Sequence, residues 1–108
     1  MRFDSPSRWN PKEVSGDAAV TSHDCKVYGW FYARTNGTLT LPQPGVELNG
    51  VEIVVVNNGP EAHVITCSNG YPGDLSELTL ATGQTTMLVC GPVGFNKYCW
   101  AVMGGTAA

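Results

Sequence analysis

The side chains best equipped for chemistry are two histidines, His23 and His63, four cysteines, Cys25, Cys67, Cys90 and Cys99, and Met103 near the end of the chain. His63 and Cys67 lie four positions apart in "AHVITC", where period-2 alternation puts His63, Ile65 and Cys67 on one face of a strand. A thiolate nucleophile needs a histidine base, a third group to orient that base, and donors aimed at the developing oxyanion. A face that repeats His, Ile, Cys supplies no such convergence and reads as packing. Structural zinc would need four ligands, and its closely spaced cysteine pairs are missing. Glu47, Glu52, Glu61, Asp74 and Glu77 sit in or beside turn signals, and nothing in the sequence holds two of them across a cleft. The expectation is a chain with no catalytic residue, no metal and no cofactor.

Copper is the one metal with a partial pattern. "NNGPEAHVI" followed by "YCWAVMGG" has some resemblance to a cupredoxin, in which one histidine precedes a loop bearing a cysteine, a second histidine and a methionine. His63, Cys99 and Met103 match the first, second and fourth of those roles. The second histidine is absent, because only "WAV" separates Cys99 from Met103 and His23 lies far upstream. A trigonal site of two histidines and a cysteine cannot be built from that loop. His63 is therefore expected on a sheet face, satisfied by a neighbouring backbone or hydroxyl group.

The elements that would position these residues are short strands. "CKVYGWFYA", 25 to 33, is aromatic and β-branched, and alternation sets Tyr28, Trp30 and Tyr32 on one face against Val27, Gly29 and Phe31 on the other. "RTNG" is a turn signal, "TLTLP" alternates again, and Pro42, Pro44 and Gly45 close that strand. "GVEIVVVN" is the strongest strand, with Val51, Ile53 and Val55 facing one way. "NNGPE" breaks it and "AHVITC" resumes, followed by "LSELTLA", "TTMLVC" and "YCWAVM", each separated by Gly, Pro or Asn. No window of ten or more residues supports an amphipathic helix.

Seven such segments predict an all-β domain: an antiparallel β-sandwich, jelly-roll or small β-barrel over residues 23 to 108. Residues 1 to 22 carry two prolines and no sustained period, and are expected as an extended N-terminal arm with Trp9 as its large apolar group. Cys90 and Cys99 lie near the ends of a predicted hairpin and are the best candidates for a bridge, against reduced core thiols as the default in a cytosol.

Composition narrows the function. The chain has 108 residues, enough for one domain, with 43% apolar and 14% charged side chains, the pattern of a folding chain with a thin charge coat. Net charge is −3, and from residue 35 onward Lys97 is the one positive side chain against five carboxylates. Binding to a nucleic-acid backbone needs clustered Lys and Arg, so no nucleic-acid partner is expected. No apolar run approaches the roughly 20 residues that cross a bilayer, so no membrane partner is expected either. Met1 is followed by "RFDSPSRWNP" and not by an apolar stretch, which predicts a product without its own export signal and makes the "NGT" at 36 to 38 an accidental glycosylation match.

In their order along the chain, "TLTLPQPG", "GVEIVVVNNGPEAHVITC", "LSELTLATGQTTMLVC" and "KYCWAVMGG" resemble a β-rich module of tailed-bacteriophage virion proteins, found in small capsid decoration or cement proteins and at the ends of tail fibres. The matching positions are structural, among them Leu39, Leu41, Pro42, Asn58, Gly59, Ile65, Gly83, Leu88 and Trp100. The resemblance implies a non-enzymatic virion protein, made in the host cytoplasm, commonly a homotrimer, whose partner is the major capsid protein or another virion protein. The small size, with no shaft or second domain, favours decoration of the shell. A tail-fibre or receptor-binding tip that stacks surface glycan on Tyr71 and Phe95 is the alternative. The interface residues expected on these grounds are Trp9, Tyr28, Trp30, Tyr32, Tyr71 and Phe95.

Overall fold

The computed structural model describes residues 11–67, 77–94 and 97–105. Its elements in chain order are β1 (Pro11–Glu13), β2 (Ala18–Ala19), α1 (Ser22–Val27), β3 (Trp30–Ala33), β4 (Gly37–Leu41), a 3₁₀ turn (Val46–Leu48), β5 (Glu52–Asn57), β6 (His63–Cys67), β7 (Glu77–Leu80), β8 (Thr85–Gly94) and β9 (Lys97–Gly105). They make two sheets, one in the order β1-β3-β5-β8-β9 and one in the order β2-β4-β6-β7.

Both sheets are mixed. β1, β3 and β5 are successive parallel neighbours, as are β2, β4 and β6, while β6–β7, β5–β8 and β8–β9 are antiparallel. The expected antiparallel fold is corrected here, and the cause lies in the bends. Residues 14–17, 34–36 and 58–62 carry the chain across to the facing sheet, so each strand pair winds once around the core. Short Gly and Asn bends serve a hairpin or a corner equally well, and packing decides between them. The corners stack so closely that a Cβ on Gly37 would run into the backbone of Gly16, and one on Gly59 would come within 2.7 Å of the Arg34 carbonyl group. Among the described residues the sheets end in open edges at β1, β9, β2 and β7 and do not close into a barrel.

Alternation along the strands sets the core. Phe31, Leu39, Val55, Ile65, Leu80 and Leu88 are fully buried between the sheets and belong to one cluster. Each is worth about 1.5–3 kcal/mol relative to exposure. Residues 42–51 close one end: Leu48 is buried, Trp100 Nε1 donates to the Pro42 carbonyl at 3.0 Å, and the Cys90 N–H donates to the Val51 carbonyl at 3.0 Å.

Three local expectations change. Residues 11–22, expected as arm, are built into the body: Val14 and Val20 are buried, and their N–H groups donate to the Tyr32 and Thr40 carbonyls. Residues 25–27, expected in a strand, belong to α1. Thr21 Oγ1 accepts from the Asp24 N–H and Asp24 Oδ2 accepts from the Thr21 N–H, a reciprocal cap that starts the helix and sets Cys25 into the core. "GPVG", expected as a turn, continues β8 to Gly94. Pro92 is tolerated because β5 pairs with β8 only from Thr85 to Val89, so no ladder bond on that side is lost.

Candidate functional site

His63 points into the core from the start of β6 and is fully buried. Its Nδ1 lies 2.9 Å from the Thr35 carbonyl oxygen, which only accepts, so Nδ1 carries the proton and donates. The histidine thus closes the 34–36 bend, in the backbone-satisfied role expected from sequence. Nε2 has no hydrogen-bond partner among the described residues. Cys67 shares that inward face. Cys99 and Met103 stand on β9, in the other sheet, and Met103 is half exposed. Among the described residues, no three His, Cys, Asp or Glu side chains come together as a metal would require.

The cysteines are four buried thiols, none bridged to another. Cys90 pairs with Trp100 and Gly91 with Cys99, so Cys90 and Cys99 sit one step apart in the ladder, on alternate faces of the ribbon. That offset withholds the candidate bridge, and the thiols are reduced, the default expectation. Burial pushes the Cys90 thiol above its usual range, the Gly45 backbone contact partly offsets this, and neighbouring Cys99 adds a further push upward.

Asn57 is the polar residue on which most converges. Fully buried at the end of β5, it donates through Nδ2 to the Glu61 and Leu80 carbonyls at 2.8 Å each and accepts the Gly59 N–H at 2.9 Å. One side chain therefore shapes the 58–62 bend and ties β5 to β7 in the facing sheet. Four of the described carboxylates are likewise spent on local structure: Asp17 accepts the Thr38 N–H, Asp24 caps α1, Glu13 accepts from Ser15 and Glu47 from Ser22. An open hollow of about 450 Å³ lined by Asp17, Ala18, Ala19, Thr38 and Thr40 brings no second titratable side chain to Asp17.

The surface that stands out is the outer face of the five-stranded sheet. Because Phe31, Val55 and Leu88 point inward, their neighbours Trp30, Tyr32, Val54, Val56, Met87 and Val89 point outward. Trp30 pairs with Val54 and Val54 with Met87, so the three form one row across three strands. Trp30 is 39% exposed and Met87 37%, while Val54, on the same outer face, is 6% exposed beneath them. Tyr32 and Val56 form the next row. The opposite outer face differs in chemistry: Thr38, Thr40, Thr66 and Thr79 alternate with the inward residues of β4, β6 and β7. The outer face of the five-stranded sheet thus has an apolar and aromatic middle flanked by Glu13 and Glu52, and the other outer face carries threonines around Val64.

Of the expected interface residues, Trp30 and Tyr32 share this apolar face. Tyr28 does not: it lies beyond α1, packs edge-on against Phe31 at 6.4 Å between ring centroids, and has Lys12 Nζ 5.2 Å over its ring. The helix breaks the alternation that placed it with Trp30. Trp9, Tyr71 and Phe95 lie outside the described residues. Val54 and Met87 were not foreseen, although the unbroken apolar run Ile53 to Val56 already signals a strand apolar on both faces. In comparisons with protein families, curated proteins and solved structures, nothing matches the chain.

Proposed function

We propose that this protein is a structural binding protein that decorates an assembled virus shell, using the outer face of the five-stranded sheet to grip the shell protein. The carrying observation is the row Trp30, Val54 and Met87, an apolar strip on a sheet whose other face already fills the core. Contiguous exposed apolar surface that includes a large aromatic is the composition of a contact surface. The sequence resemblance to phage decoration modules supplies the kind of partner. Ligation to an assembled lattice stabilises it by mass action, since each bound copy favours the form that presents its site.

The test is co-sedimentation with shells that lack the protein, comparing the natural chain with Trp30→Asp. Losing the burial of a large aromatic and adding a charge at the contact removes about 2 kcal/mol or more, a weakening of at least about tenfold. Trp30 also covers Val54, so the variant is expected to lose some stability, and its circular dichroism at the assay temperature must match the natural chain for the comparison to count. Undiminished co-sedimentation of the variant contradicts the proposal.

A further inference from the structure

The two sheets do not match in width. Bends of a few residues join β1 to β2, β3 to β4, β5 to β6 and β7 to β8, so these strands face each other in pairs. Among the described residues β9 has no counterpart and projects as a ledge beyond β7. Exposure shows the step: Val102 pairs with Leu88 and shares its inward face, yet Leu88 is fully buried and Val102 is 50% exposed, with Met103 beside it at 51%. β7 lies level with the Val102 to Gly105 end of β9, because residues 81–84 join Leu80 to Thr85 and Thr86 pairs with Gly105.

The two flanks of the molecule are also protected differently. On one, β1 is three residues long and holds Pro11, Lys12 and Glu13, and β2 is two residues long, which are the usual devices against edge pairing. On the other, β9 is nine residues long and its end beside β7 is apolar or glycine. Among the described residues neither β7 nor β9 has a strand on its outer edge.

We infer that this stepped flank is a joint for a second copy of the chain, related by a two-fold axis parallel to the strands. Rotation about such an axis turns the step upside down, so the ledge of each copy enters the recess of the other. Each β9 then lies beside the second copy's β7, and the two Val102 side chains meet across the axis. A five-stranded sheet joins a four-stranded one on each level, leaving no strand unmatched. β7 and β9 run in the same direction and the rotation preserves it, so the new pairs are parallel. Like every two-fold contact, the surface must be self-complementary, and a one-strand step is. The ledge is open along residues 102–105, about 13 Å, because Trp100 is fully buried beneath residues 42–51, and tread and riser there offer about 200 Å² per copy, roughly a quarter of a standard interface. The dimer is therefore weak and reversible, and forms at the high end of a concentration series.

Sedimentation velocity of the full chain over a concentration series tests this, with Val102→Asp and Val102→Lys as variants. Val102 is half exposed in the single copy, so circular dichroism of each variant should match the natural chain. The natural chain is expected to pass from one-copy to two-copy mass as concentration rises, each variant alone to stay at one copy, and an equal mixture of the two to regain two-copy mass, because opposite charges then face each other. A natural chain that stays single at every concentration, a three-copy species such as the virion resemblance implies, a Val102→Asp protein that still pairs, or a mixture that does not recover each overturns the joint.

Discussion

At the scale of single residues, the groups that look reactive in the sequence are engaged in holding the fold. His63 and Asn57 fix two neighbouring bends through backbone groups, and Asn57 adds a tie between the sheets. Cys90 gives this burial a measurable consequence. Its folded-state thiol titrates above the unfolded one because burial disfavours the thiolate. Above about pH 8.5 the unfolded chain sheds this proton while the folded chain keeps it, so the unfolded state gains and stability falls as pH rises. The unfolding temperature is therefore expected to fall between pH 8.5 and pH 10, and to fall less steeply in Cys90→Ala; equal slopes would contradict that role. The inward stripe His63, Ile65, Cys67 was legible from alternation alone. The role of Asn57 was not, because "NNG" spells a solvent-exposed turn as readily as a buried amide serving three backbone groups.

At the scale of elements, strand positions were largely readable and their partners were not. "TLTL", "EIVVVN" and "HVITC" form strands where their alternation placed them. The bends between them fit both a hairpin and a crossing, and only the stacking of one corner on the next selects crossing, which turns expected antiparallel neighbours into parallel ones. α1 was illegible for a related reason: six residues show no period, and the Thr21 and Asp24 cap is a local contact inside a β-rich composition. The corner stack predicts a sharp effect at Gly37, whose φ of 155° lies in the region that favours glycine and whose missing Cβ makes room for the Gly16 backbone. Gly37→Ala is expected to lower stability by about 2 kcal/mol or more, read as a shift in the denaturant midpoint. Gly45→Ala, at an extended position with open space around it, should leave the midpoint nearly unchanged. A similar midpoint for both would mean that the corners are looser than the geometry implies.

At the scale of the whole molecule, the two outer faces divide the work. The threonine face needs no cover, while the face bearing Trp30, Val54 and Met87 presents apolar surface on a sheet whose inner side is already filled. The aromatic strand was visible in "WFYA", but the row across three strands depends on register and was not. The proposed role turns on this face meeting a shell. The most direct measurement is low-resolution imaging of virus particles assembled with and without the protein, at matched composition. The account predicts added density on the outside of the shell, lost when Trp30→Asp replaces the natural chain; particles that look identical with and without the protein, or added density confined to the tail, would contradict it.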